Sequence, residues 1–222
     1  MKVKHLSIFL LVVVLAFSFS TLVSAAKYTI RFAGAQPKGH PLTELQFKFK
    51  ELTEKYSKGA IEVKVYHSNQ LGGITEVNEA VRDGSVTMSM SSLTYIAGNY
   101  NAKFGVTCLP YLVNRKTAYK VFEIMDGEIG ARLSKELEKN NFKMLGYYQL
   151  GFRNITNSKR AVRTPKDLAG LKIRLQPNPV HIEAFRTLGA NPIGMDWAEV
   201  YSAMQQGVID GQENPVDIIY MN

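Results

Sequence analysis

The chain has 222 residues, room for one large or two small domains. Its 45% apolar and 21% charged residues are the make-up of a globular protein with a real core, which excludes a disordered chain. The formal net charge is +8, but the basic residues are scattered. Only the run 159–166 is dense, and no aromatics interleave with it to stack on bases, so nucleic acid is not an expected partner.

The first residues follow the three-part pattern of a secretory signal. Lys2 and Lys4 give a positive start, an apolar run covers 6–17, and Val23-Ser24-Ala25 supplies small residues for cleavage. Residues 1–25 are therefore expected to be a signal peptide, and the exported product to begin near Ala26. The apolar run is too short and wrongly flanked to span a membrane, and no later stretch is long enough to do so. The single cysteine, Cys108, excludes an intramolecular disulfide, and its apolar surroundings make it a core residue. Export without disulfides fits a bacterial periplasmic protein that relies on its core.

Alternation in Tyr28-Thr29-Ile30-Arg31-Phe32 predicts a strand. A helix of about 16 residues follows Pro41, with Leu42, Leu45, Phe49 and Leu52 on one face. Ile61, Val63 and Val65 mark a second strand, and Val77, Ala80 and Val81 a second helix that stops at Gly84. A third strand is expected at 85–90. This β–α–β–α–β order signals a parallel sheet with crossover helices, hence an α/β fold. Residues 97–112 look irregular, with a turn at Leu109-Pro110-Tyr111. Helix is expected over 115–140, broken near Gly127, and a strand over 143–148.

Composition shifts at Gly151, where a domain boundary is placed: a first α/β lobe over 26–150 and a second over 151–222. Residues 153–157 read as a connecting strand. Thr164-Pro165-Lys166-Asp167 offers an N-cap hydroxyl, a proline at the first helical position and a carboxylate three residues past the cap. In the strand expected at 171–175, Leu171, Ile173 and Leu175 face one way and Lys172 and Arg174 the other. A helix carrying Ile182, Phe185 and Leu188 follows. Asp196 and Glu199 then form a variant capping box for a helix with Trp197, Val200, Tyr201 and Met204 on one face. A strand is expected at 208–212, and a helical run begins after Pro215.

Nothing supports catalysis. The four histidines lack the spacing of a metal pair, and there is neither a G-x-S-x-G elbow nor a phosphate-binding glycine loop. Asp210 and Glu213 could be posed as an acid–base pair, but on spacing alone. No catalytic residue, cofactor or resident metal is assigned. A binding residue does stand out. Arg174 lies near the C-terminal end of its strand, where open α/β sheets bind ligands. A guanidinium stays charged and forks onto carboxylates. From spacing alone, a ligand and a structural pair with Asp196 or Glu199 stand equal as its partner.

Several motifs carry a resemblance. Gly151-Phe152-Arg153-Asn154, Leu171-Lys172-Ile173-Arg174, Leu188-Gly189-Ala190-Asn191-Pro192, Glu199-Val200-Tyr201 and the run from Gln205 to Pro215 resemble the DctP-type solute-binding proteins of tripartite ATP-independent periplasmic (TRAP) transporters. The resemblance runs from about Tyr28 to the end. It implies a periplasmic protein of two lobes around a cleft, which closes on an organic acid and delivers it to membrane permease subunits. It further implies that Arg174 forks onto the solute carboxylate, that Arg153 supports it, and that Asn214 hydrogen-bonds the same group. Trp197 falls where an aromatic packs on the ligand, and equally reads as core at helical spacing. Where members specialised for sialic acid hold hydroxyls with acidic or amide groups, this chain has Ala35, Gly73 and Ser92, which favours a smaller or less hydroxylated acid. In some members a metal ion assists, for which Gln212 and Glu213 are the residues to watch. The family runs roughly eighty residues further, so the second lobe is expected to be incomplete here and to unfold less cooperatively than in a longer chain. Two other classes stay open: a ligand-sensing subunit of a membrane receptor, and an exported hydrolase.

Overall fold

Strand β1 (Tyr28–Ala33) lies between β2 (Ile61–Tyr66) and β3 (Met88–Ser89), with all three parallel in the order β2-β1-β3. Parallel neighbours need crossovers, supplied here by helices α1 (Pro41–Tyr56) and α2 (Ile74–Arg82). These observations come from a computed structural model, which describes residues 26–108, 114 and 116–222, without the side chains of Val106 and Cys108. The expected signal peptide, the 109–111 turn and the core placement of Cys108 lie outside the described residues.

Strand β3 is shorter than expected because its approach bonds β1 through side chains. The Arg31 backbone N–H donates to Thr87 Oγ1 at 3.1 Å, and Arg31 Nη1 donates to the Ser85 carbonyl at 2.6 Å. Helix α1 starts at His40, whose Nδ1 accepts from the Leu42 N–H at 3.1 Å, with Pro41 at the first position. Its inner face differs from the expected one. Thr43 and Gln46 are buried, whereas Leu45 is 53% exposed. Gln46 turns inward because its amide reaches the Phe32 carbonyl at the end of β1, while Phe49 packs edge-on against Phe32.

A helix not expected from the sequence, α3 (Leu93–Asn99), runs into the start of the stretch read as irregular, capped by Ser92 Oγ accepting from the Thr94 N–H at 3.1 Å. A 3₁₀ segment (Ala102–Cys108) and helices α4 (Lys120–Asp126) and α5 (Glu128–Glu138) follow, with the break at Gly127 as expected. Ile96, Ala97, Phe104 and Leu137 form their shared core. Residues 143–148 form no strand; the chain runs there without a ladder partner and Leu145 is 71% exposed.

The second sheet has the order β4-β7-β5-β6. Strand β5 (Lys172–Leu175) runs parallel to β6 (Asn191–Gly194) and β7 (Gly211–Asn214), and β4 (Asn154–Asn157) closes the edge antiparallel to β7. Helix α6 (Pro179–Thr187) connects β5 to β6, α7 (Trp197–Gln205) connects β6 to β7, and α8 (Val216–Met221) follows β7. The reading of β5 holds: Leu171, Ile173 and Leu175 are buried in one cluster with Leu168 and Ala190, against Ile182 and Phe185 of α6. Thr164 and Asp167 form the expected capping box, on a 3₁₀ turn (Pro165–Leu168). Strand β7 starts later than expected, since Val208 is 46% exposed and Asp210 instead accepts the Lys172 N–H with its carboxylate at 2.9 Å. Gly211 is needed where β7 meets β4: a Cβ there would sit 2.0 Å from the Thr156 carbonyl oxygen.

On α7 the expected apolar face is only half right. Val200 and Ala203 are buried with Ile209, whereas Tyr201 is 65% and Met204 41% exposed.

Candidate functional site

The two sheets face each other across a cleft at the C-terminal ends of β1 and β5, the location at which open α/β sheets place ligands. A pocket open to solvent lies there, with Gly34, Ala35, Gln36, Gln46, Ser92 and Tyr95 on one wall. Arg174, Gln176, Trp197 and Asn214 line the other, and Tyr148 and Ile218 complete it.

Arg174 is 1% exposed. Its Nε and Nη2 donate to the Met195 carbonyl at 2.9 and 2.6 Å, and Nη2 also donates to the Tyr95 hydroxyl at 3.0 Å. Its Cζ lies 5.6 Å from the Trp197 ring centroid, within cation–π range. Burial lowers its pKa, Arg153 nearby acts in the same direction, and Tyr95 and Glu213 oppose them. Neither carboxylate weighed as a structural partner meets it. Glu199 is exposed. Asp196 caps α7 through the Ala198 N–H and, across the cleft, accepts from Ile74 N at 3.1 Å, Thr75 N at 2.9 Å and Thr75 Oγ1 at 2.9 Å. The expected box is thus half formed, and its carboxylate serves the starts of two helices instead.

Arg153 stands behind the cleft wall rather than on it. Its Nε donates to Glu213 Oε2, and its Nη2 reaches Glu213 Oε1 at 2.8 Å, the Glu213 carbonyl at 2.6 Å and Asn214 Oδ1 at 2.9 Å. Asn214 Nδ2 donates in turn to Gln212 Oε1 at 2.5 Å, and Gln212 Nε2 to Thr156 Oγ1 at 2.7 Å. Arg153 therefore fixes the Asn214 amide that lines the cleft. Arg153 holds the one buried carboxylate near the two guanidiniums, Glu213. Arg174 keeps a buried positive charge with no ion-pair partner among the described residues. A buried cation without a counter-charge costs several kcal/mol, at the order-of-magnitude level, so the site is electrostatically suited to an anion.

Of the four residues expected at the site, Arg174, Asn214 and Trp197 come together on the cleft wall, and Arg153 backs Asn214. Trp197 lines the cleft and also packs against the Val200, Ala203 and Ile209 cluster, in keeping with its reading as core. Gln212 and Glu213 are occupied by Asn214 and Arg153. Among the described residues, no group of three or more His, Cys, Asp or Glu side chains is placed to hold a metal ion. Ala35 and Ser92 do lie on the first-lobe wall, whereas Gly73 packs against the Asp196 carboxylate.

Sequence reasoning missed Tyr95. It sits on α3, is fully buried, and its hydroxyl accepts from both Arg174 Nη2 and the Trp197 N–H at 3.1 Å. Burial pushes its pKa up to about 12, with Asp196 adding to the rise and Arg174 countering it. The available signal was Ser92, a helix cap directly after a parallel strand, which places Tyr95 in the first turn facing the cleft. The lobes also touch at Asn178, whose Nδ2 donates to the Thr94 carbonyl at 2.9 Å, and at Gly98, where a Cβ would sit 1.9 Å from the Pro177 carbonyl oxygen.

The model of the family described as bacterial extracellular solute-binding protein, family 7, matches residues 32–222. The chain belongs to this family. It is 34% identical over 220 residues to the 2,3-diketo-L-gulonate-binding periplasmic protein YiaO of Escherichia coli K12, covering 99% of this chain and 66% of the relative. The crystal structure of the sugar acid binding protein DctPAm from Advenella mimigardefordensis, in complex with galactonate, superposes with a TM-score of 0.83 at 31% identity, over 89% of this chain and 63% of that one. A TRAP periplasmic solute-binding protein from Sulfurospirillum deleyianum with bound succinate gives 0.82 at 31%, over 88% and 62%. The chain thus spans a little under two thirds of the length of these proteins. The two-lobed α/β architecture agrees with them. Among the described residues, no helix is long and apolar enough to cross a membrane.

Proposed function

We propose that this protein is the periplasmic solute-binding component of a TRAP transporter, which captures an organic acid by its carboxylate and hands it to membrane permease subunits. The observation that carries this reading is Arg174: a buried guanidinium at the C-terminal end of β5, facing a cleft, with no carboxylate partner among the described residues. Membership of family 7 and the acids named for its relatives support the same class of solute, whether a dicarboxylate, a keto or hydroxy acid, or a sugar acid. In this role the protein is not an enzyme. Arg174 pairs with the carboxylate, Asn214 donates to it, Trp197 packs against the solute, and Arg153 orients Asn214. The lobes, 26–150 and 151–222, close on the solute by a hinge motion. Residues 1–25 direct export and are removed.

A thermal-shift screen of organic acids, each paired with its neutral amide, tests the reading, because a ligand that binds the folded state raises the melting temperature by mass action. The expected outcome is a shift with at least one acid and none with its amide. Equal shifts with acid and amide, or none with any acid, would contradict it.

A further inference from the structure

We infer that Tyr95 is a direct carboxylate donor supplied by the lobe opposite Arg174, so that solute capture and lobe contact are one event. This rests on the functional reading above and adds a specific residue to it. Arg174 has five N–H groups. Nε and Nη2 are spent on the Met195 carbonyl and the Tyr95 hydroxyl, which leaves Nη1 with no acceptor among the described residues. The Tyr95 oxygen has two lone pairs, and both have donors aimed at them: Arg174 Nη2 at 3.0 Å and the Trp197 N–H at 3.1 Å. Among the described residues the phenol therefore acts only as an acceptor, and its own proton has no acceptor there.

That proton sits on a side chain with 0% exposure that lines the cleft beside the unpaired guanidinium. Burial also keeps the phenol protonated through the whole physiological range. An acceptor-only tyrosine next to an unpaired cation is chemically complete when one anion meets both, taking an N–H from Nη1 and the O–H from Tyr95. Two donors from two lobes also make capture depend on their approach. With the lobes apart, Arg174 would lose the hydroxyl that occupies Nη2, and the solute would lose one of its donors.

The test uses the full chain and calorimetric titration with succinate, galactonate and 2,3-diketogulonate, following whichever binds most tightly. Tyr95→Phe removes the hydroxyl and keeps the ring; a hydrogen bond to a charged group corresponds to a loss of about ten- to hundred-fold in affinity. Unchanged affinity in Tyr95→Phe, alongside strong loss in Arg174→Ala, would overturn the Tyr95 role and leave the functional reading intact. Incorporating 3-fluorotyrosine at position 95 separates a donor from a mere structural acceptor without deleting the group. Fluorine makes the phenol a better donor and a poorer acceptor, so tighter binding supports the inference, and weaker or unchanged binding overturns it. If none of the three acids binds the unsubstituted chain, the functional reading fails and the inference falls with it.

Discussion

Replacing Asp196 by alanine removes four hydrogen bonds at once, three of them to the opposite lobe. The same carboxylate caps α7 and receives the first N–H groups of α2, so it meets the positive ends of two helices. Loss of an N-cap costs roughly 0.5–2 kcal/mol. Hydrogen bonds to a charged group run higher, at about 1.5–3 kcal/mol each when fully desolvated, but Asp196 is only partly buried and water can replace much of what is lost. Together these give a destabilisation of about 2–4 kcal/mol for Asp196→Ala. Asp196→Asn should lose at least half of that, because either orientation of the amide points an N–H at a backbone N–H. Thr75→Val removes only the hydroxyl contact and should cost about 1 kcal/mol. Denaturant unfolding of the original chain, the three single variants and the Asp196→Ala/Thr75→Val double variant, which completes a double-mutant cycle, reads these values from the midpoints at constant slope. An Asp196→Ala chain within about 0.5 kcal/mol of the original, or additive effects at the two positions, would refute the idea that this carboxylate joins the lobes.

Two further outcomes follow from buried groups. Arg153→Ala leaves Glu213, 4% exposed, without its cation, and should destabilise by about 3–5 kcal/mol in the same unfolding assay; a loss below 1 kcal/mol would show that the pair is dispensable. His40 is fully buried and its Nδ1 accepts the α1 cap bond, so burial lowers its pKa from the ordinary 6.5, against the opposing pull of Asp217. As pH falls below 6.5 the unfolded chain takes up the proton before the folded one, so stability should decline toward the lowered folded value. His40→Asn keeps a capping side chain and should flatten that part of the pH–stability curve; an unchanged slope would exclude His40 as its source.

What the sequence disclosed divides along physical lines. Period-two and helical patterns gave β1, β2, β5, α1 and α2, because their burial is decided by local alternation. Strand β6 was not recognised, since Asn191-Pro192-Ile193-Gly194 reads as a loop; Pro192 is tolerated there because β6 is the edge of its sheet, with no ladder partner beyond it. The inner face of α1 was misassigned because Gln46 is drawn inward by a backbone carbonyl, and hydrophobicity alone puts Leu45 there instead. Arg174 was legible as a cation on an apolar strand. Its neighbours in space were not, because Tyr95 is 79 residues away. The double duty of Asp196 was hidden for the same reason: its local role as a cap was visible, whereas its partners at Ile74 and Thr75 depend on how the lobes meet.

The central claim is that the anion neutralising Arg174 is the solute. Calorimetric titration of the full chain and its Arg174→Ala variant, with the acid that gives the largest thermal shift, tests it most directly. Truncating one partner of a buried charge pair costs about 2–5 kcal/mol, so the variant should bind at least about 30-fold more weakly. Equal affinity in the two chains would contradict the account.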